Sequence, residues 1–279
     1  MKRIKALSLV ILVIVGIGVV GLLGKMLVQN STLGVGPEDN EVSWWIQIDG
    51  RLSPPVIHPN GGVILTTEDN VLLVKDGEVK WNYGAETSDF PPVVAADGTV
   101  YFASSDNKVY ALDSAGAVKW TYTVGALAGY LTTSADGTVY FASSDNKVYA
   151  LDSAGAVKWT YTVGGILPLD VTEEAVYAIS YLDGRFSLLA ITPAGGLKWS
   201  LDFSGWVYSL SVDDMDTAYV SLVAASQGAS LVAVDPNGTV KWTFSQSGGL
   251  VFERPVIGGG VLYDTLQAEN GGLYALGEG

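Results

Sequence analysis

The chain has 279 residues, 48% of them hydrophobic, with no cysteine, one histidine and a formal net charge of −14. The missing cysteines exclude disulfides, thiolate metal sites and a lipidated cysteine, a single histidine excludes a histidine-built metal centre, and so acidic a chain suits neither nucleic acid nor anionic lipid. The length is enough for one sizeable core.

Lys2, Arg3 and Lys5 precede Ala6 to Gly24, a run without charge, and Met26 to Val28 continue it past Lys25. At about 1.5 Å rise per residue a helix of this run spans the roughly 30 Å hydrocarbon core of a bilayer, with Lys25 snorkelling to the headgroups. Residues 1–28 are therefore expected to be a cytoplasmic stub and a retained transmembrane signal-anchor helix, whose upstream cations keep the N-terminus in the cytoplasm and place the rest outside it. A cleaved signal peptide, or a prepilin-like segment processed near Lys5-Ala6, is the competing reading. Residues 29–40, with Gly, Pro and acids, read as a short linker. Beyond residue 28 stand 11 cations against 29 anions, a balance of −18.

The segment from Ala96 to Gly125 recurs letter for letter as Ala135 to Gly164, a spacing of 39 that marks a repeat architecture. Each copy reads as short strands separated by an Asp-Gly turn, a Ser-Ser-Asp-Asn turn and a Ser-Ala-Gly turn. Both faces of VYFA and VYAL are apolar, as in strands covered on two sides, whereas the last strand alternates Val118, Trp120, Tyr122 and Val124 with Lys119, Thr121 and Thr123. A fourth strand precedes the Asp-Gly turn. The Lys-Trp landmark recurs at Trp81, Trp120, Trp159, Trp199 and Trp242, spaced 39, 39, 40 and 43, so five four-stranded units are legible. Arg254 onward supplies the first three strands of a sixth. Its outermost strand is expected from the other end of the chain, where EVSWWIQIDG aligns Trp44 with Trp120; joining the two ends closes a ring and removes free edges. Trp44 is then expected to pack like the other repeat tryptophans, with Trp45 on the wetter side. The predicted fold class is all-β, a six-bladed β-propeller over residues 41–279 with its last blade closed by strands from both termini, plus one N-terminal transmembrane helix.

The pattern VYALD, then Gly, then KW at about 40 residues resembles the quinoprotein-like (PQQ-like) β-propeller repeat, over Glu41 to Gly279. Within that group the chain looks like the envelope assembly factors, although those are eight-bladed and anchored through a cysteine. The resemblance to cofactor-using members implies a vicinal cysteine pair, acidic and amide calcium ligands and a catalytic aspartate. The cysteines are absent and no such constellation can be placed, so no cofactor is expected.

Few side chains point to chemistry. Blades four and five read as having longer second-to-third-strand connections, around Tyr181 to Arg185 and Ala225 to Gly228, and His58, in HPNGG, reads as a solvated turn histidine on the rim opposite these variable loops, so no Ser-His-Asp triad is expected. Asp213, Asp214 and Asp216 are the weak metal candidates, because hard cations take several oxygens; a plain acidic turn is the competing reading. Arg51, Trp206, Phe252 and Arg254, like Phe90 and Tyr130, fall near the starts of first strands and are absent from the twin copies. Aromatics and arginines of this kind are enriched at interaction hot spots, so Arg51, Trp206, Phe252 and Arg254 are the partner-binding candidates, on the rim shared by inter-blade connections and second-to-third-strand turns. The functional expectation is a membrane-anchored, extracytoplasmic protein-binding or scaffolding module at the cell surface or in the periplasm, without catalytic activity. A structural or adhesive surface protein, including a pilin-like filament subunit, is the alternative, and an enzyme a third.

Overall fold

The computed structural model describes residues 44–279, apart from 89, 126–127, 166–167, 225–227, 247–250, 253–255, 259–260, 268–271 and 278–279. The described part is built from strands. Blade 1 comprises β1 (Val56–Ile57), β2 (Val63–Thr66), β3 (Asn70–Lys75) and β4 (Glu78–Gly84); blade 2 comprises β5 (Val93–Val94), β6 (Val100–Ser104), β7 (Lys108–Leu112) and β8 (Val118–Thr123). Blade 3 follows with β9 (Ala128–Thr133), β10 (Val139–Ser143), β11 (Lys147–Leu151) and β12 (Val157–Thr162), and blade 4 with β13 (Leu169–Val171), β14 (Val176–Leu182), β15 (Arg185–Ile191) and β16 (Leu197–Phe203). Blade 5 holds β17 (Trp206–Val212), β18 (Ala218–Ala224), β19 (Gly228–Val234) and β20 (Val240–Gln246). These are five four-stranded antiparallel meanders, paired in sequence order, as propeller blades are. In a sixth sheet, β21 (Val251–Phe252) and β22 (Val256–Gly258) both pair with β23 (Val261–Gln267), which pairs with β24 (Gly272–Gly277).

First strands touch in succession, β1 with β5, β5 with β9, β9 with β13, β13 with β17 and β17 with β21, which puts them on the inside of the array. Burial follows: β6 and β10 (both VYFAS) are buried at every position, whereas β4 alternates exposed and half-buried and carries one wet face. The two-faced cores that result are shared between blades. One cluster joins Tyr101 and Ala111 of blade 2 to Val139 and Phe141 of blade 3, with Trp120 and Tyr122 packed against it.

The tryptophan of each outer strand is the device that joins neighbours. The indole Nε1 of Trp81 donates to Ser114 O at 3.1 Å, Trp120 to Ser153 O at 2.9 Å, Trp159 to Pro193 O at 2.9 Å and Trp199 to Pro236 O at 2.8 Å. Each acceptor lies in the third-to-fourth-strand turn of the following blade, and each turn holds a glycine against the ring. A Cβ at Gly116, Gly155, Gly195 or Gly238 would sit 2.7–2.8 Å from the indole of Trp81, Trp120, Trp159 or Trp199 respectively, and φ at all four is between +84° and +88°. Only glycine meets both demands, a left-handed backbone and an aromatic in contact. Inside blades 2, 3 and 4 the same ring stands against a second-strand tyrosine: Tyr101–Trp120 at 5.6 Å, Tyr140–Trp159 at 5.7 Å, Tyr177–Trp199 at 5.9 Å.

Residues 44–49 form no strand, yet Trp44, Ile46 and Ile48 pack on Val63, Leu65, Leu72 and Val74 of blade 1, and Trp44 Cβ is where a Cβ on Gly77 would come within 3.2 Å. This is the alternation with which Trp81, Tyr83 and Ala85 pack on blade 2. Trp45, expected on the wetter side, is half-buried and its indole nitrogen is shielded from water. The transmembrane helix and the linker lie outside the described residues. A further difference concerns blade 4, where the sequence reads as having a long second-to-third-strand connection around Tyr181 to Arg185. Instead β14 and β15 run on, Leu182 pairs with Arg185, and only Asp183 (φ 51°) and Gly184 (φ 78°) turn the chain. Asp-Gly is the dipeptide that supplies two positive φ angles in a two-residue hairpin, so the extra residues lengthen the strands.

Gly155→Ala should lower unfolding stability by about 2 kcal/mol or more, since the added carbon overpacks the Trp120 ring on a strained backbone. Gly84→Ala, with nothing within 4 Å of its Cβ, should stay within about 0.5 kcal/mol; denaturant melts of the two proteins check this. A second expectation concerns alkali. Burial pushes the Tyr101 hydroxyl up to about 12, above the roughly 10 of an unfolded chain. A raised acid favours the folded state fully below its unfolded value, and that contribution is lost as pH rises through the folded one. Stability should therefore fall from about pH 10 to 12, and less steeply in Tyr101→Phe.

Candidate functional site

In a meander the first-to-second and third-to-fourth turns share one rim, and the second-to-third turns share the other with the connections between blades. The first rim is occupied by self-contacts. Asp113 and Asp152 Oδ1 each accept two backbone N–H groups of their own turns at 2.9 Å, and Asp235 does the same for Asn237 and Thr239.

His58 belongs to this rim and is not solvated: it is 1% exposed. Its Nδ1 accepts the Asn60 N–H at 3.2 Å, which leaves Nε2–H to donate to Gly98 O of blade 2 at 3.1 Å. Strand register explains why a turn residue is buried. Ile57 pairs with Val63 as Val171 pairs with Val176, which sets His58 and Thr172 at the same place, each reaching the first turn of the next blade. Thr172 Oγ1 donates to Asp216 Oδ1, and Tyr177 OH donates to Asp216 O at 3.3 Å. Asp216, at φ 61°, stands where Gly98 stands in blade 2. Asp213 Oδ1 accepts Met215 N and Thr217 N at 2.9 and 2.8 Å, and its Oδ2 accepts Tyr219 OH at 3.0 Å. The carboxylates of Asp213 and Asp216 thus serve a turn and a blade junction; among the described residues no three His, Cys, Asp or Glu side chains converge to hold an ion.

The opposite rim differs from junction to junction. Between blades 1 and 2 the start of the connection lies across the rim: Thr87 N donates to Glu68 O at 2.8 Å and Ser88 N to Ala103 O at 3.0 Å. Between blades 3 and 4, Tyr181 N and Ser180 Oγ both donate to Val163 O at 2.8 Å. Between blades 4 and 5 only Ser204 and Gly205 separate β16 from β17, and a cleft of about 640 Å³ opens there. The extended β14–β15 hairpin supplies Tyr181, Arg185 and Phe186, and the start of β17 supplies Trp206. Trp206 is 63% exposed, its ring stacked on Tyr181 at 6.1 Å and tilted against Phe186 at 5.4 Å. Asp202 accepts from Ser187 Oγ at 2.7 Å and stands 3.9 Å from the Arg185 guanidinium, a loose surface pair.

Of the other partner candidates, Arg51 is exposed, its backbone N–H donating to the Glu68 carboxylate at 3.1 Å on this rim. Phe252 lies in β21 opposite Leu266; its side chain and Arg254 lie outside the described residues, as does their expected meeting with Arg51. Phe90 is tilted against Tyr130, ring centroids 4.7 Å apart, with Tyr130 at φ 44° as the extra residue of a bulge. Tyr181, Arg185, Phe186 and Asp202 were not among the candidates. The signal for them was local: an Asp-Gly hairpin followed by a Ser-Gly connection too short to cross a junction.

The two kinds of tryptophan should separate in stability measurements. Trp199→Ala removes a latch and should cost about 3–5 kcal/mol, whereas Trp206→Ala removes an exposed ring and should change stability by about 0.5 kcal/mol or less.

The family described as outer membrane protein assembly factor BamB matches residues 28–130 and 77–206. Among solved structures, BamB from Moraxella catarrhalis is 18% identical with a TM-score of 0.50, covering 82% of this chain and 86% of its own. Virginiamycin B lyase from Staphylococcus aureus is 14% identical with a TM-score of 0.59, covering 80% and 83%. A streptogramin B lyase is 14% identical with a TM-score of 0.61, covering 83% of each chain. These structural likenesses concern the fold alone. No curated protein is similar to the chain in sequence. With its matches running together from residue 28 to 206, more than half of the chain, the protein belongs to the PQQ-like β-propeller repeat family described as outer membrane protein assembly factor BamB.

Proposed function

We propose that the chain is a six-bladed propeller closed by its own N-terminal segment, held at a membrane outside the cytoplasm by residues 1–28, and that it works as a protein-binding scaffold rather than a catalyst. The family description, an assembly factor of the outer membrane, supports an envelope role. The observation that carries the binding reading is Trp206: a 63% exposed indole at the mouth of a cleft, on the rim free of latches. Large aromatics left in water on an otherwise acidic surface mark interaction sites. Arg51, Phe252 and Arg254 are the further contacts proposed on that rim.

Crosslinking of the full-length chain in its native membrane, followed by capture, tests the reading. A discrete protein partner should be recovered with wild type and lost, by about tenfold or more, with Trp206→Ala; recovery of no partner, or of the same partner undiminished, would contradict it. Closure has its own test. Trp44→Ala should cost as much as Trp120→Ala, about 3–5 kcal/mol, and a negligible loss at Trp44 alone would show a ring not closed by this segment.

A further inference from the structure

The cleft between blades 4 and 5 lies at a junction left uncovered. At two other junctions described residues of the chain's own connection are bonded across the rim: Thr87 N and Ser88 N donate to Glu68 O and Ala103 O between blades 1 and 2, and Ile179 N donates to Pro168 O at 3.0 Å between blades 3 and 4. Both connections enter the first strand through prolines, Pro91-Pro92 in one and Pro168 in the other. Between blades 4 and 5, Ser204 and Gly205 cannot do this. Gly205 is itself pressed to the floor, since a Cβ there would stand 2.6 Å from Val223 O. What is left open is an aromatic wall of Tyr181 and Trp206, backed by the buried Phe186, with the carboxylate of Asp202 beside it, 60% exposed and only loosely held by Arg185 at 3.9 Å.

Resting on the protein-binding reading above, we infer that this cleft takes an extended, proline-containing segment of a partner protein with a basic residue next to the prolines, so that the partner supplies in trans what the chain's own connections supply in cis at those two junctions. The prolines stack on Trp206 and Tyr181, because a pre-extended polyproline II segment loses little entropy on docking to an aromatic-lined groove. The basic residue takes Asp202 in place of Arg185. Charge decides its sign: a chain of net charge −14 repels an acidic segment and draws a basic one.

The test uses the full chain in detergent and two fluorescein-labelled decapeptides with the same Phe-Pro-Pro core, one ending in two lysines and the other in two glutamates, read by fluorescence anisotropy. The lysine peptide should bind at least about tenfold more tightly than the glutamate peptide, and Trp206→Ala and Asp202→Asn should each weaken it by about tenfold. Arg185→Ala, which removes the chain's own cation from Asp202 Oδ2, should strengthen it. Binding of neither peptide, equal binding of both, or unchanged binding by Trp206→Ala would overturn the inference. So would displacement of the bound peptide by the neutral oligosaccharide cellohexaose, which would make the cleft a glycan site. If the crosslinked partner of the previous section still depends on Trp206 while both peptides fail, the scaffold reading stands and the proline-segment inference falls. If the partner is not recovered while the lysine peptide binds as described, the reverse holds.

Discussion

One contact recurs at the four junctions from blade 1 to blade 5: the tryptophan of an outer strand lies on a glycine in the next blade's turn and donates its indole N–H to a carbonyl of that turn. A blade is a sheet with two apolar faces, and alone it exposes both. The latch aligns its face against the next one, and the buried apolar surface then supplies most of the stability. The hydrogen bond is worth about 1 kcal/mol, small beside burial, but it is directional and so selects one stagger between blades. Glycine makes the stagger possible, because any side chain at those four turns would both strain the backbone and collide with the indole.

This arrangement divides the molecule by rim. The latches fall in third-to-fourth-strand turns, and the same rim carries the first-turn contacts of His58 with Gly98 and Thr172 with Asp216. Changes there are constrained by the neighbouring blade. The other rim is held more loosely, by connections that vary in length, and sequence differences can accumulate on it without disturbing the joints. A cleft arises where a connection is short and a hairpin long, at blades 4 and 5. Blades 2 and 3, identical over thirty residues, cannot differ within that repeat, which leaves asymmetric recognition to blades and loops that do.

The fold was legible because its period is carried by residues with a mechanical reason to recur. Trp120 and Gly155 answer to each other, as Trp159 and Gly195 do, so spacing in the chain records spacing in space. Strand faces were legible for the same reason, since β4 shows the alternation that its letters show, and β8 does so from Lys119 onward; Val118, expected on the apolar face, is exposed where the pairing shifts register beside Leu112. The site was less so. His58 looked wet because HPNGG is a turn by composition, and nothing local tells that the following blade supplies Gly98 as a roof; only comparison with Thr172 at the same register reveals it. Likewise Tyr181 to Arg185 looked like a loop because extra residues between strands usually are, but Asp183-Gly184 let the pairing continue. Trp206 was visible as an aromatic outside the latch period, whereas its companions Tyr181 and Phe186 are joined to it only across two blades.

The central claim is that two populations of tryptophan exist, one locking blades and one offered to a partner, and indole hydrogen exchange measured by NMR on the uniformly nitrogen-labelled protein tests it most directly. The account predicts that the Nε1–H groups of Trp81, Trp120, Trp159 and Trp199 exchange slowly, together, and only with opening of the blade array, while that of Trp206 exchanges at the rate of a free indole. Fast exchange at the four repeat positions, or protection of Trp206 equal to theirs, would contradict it.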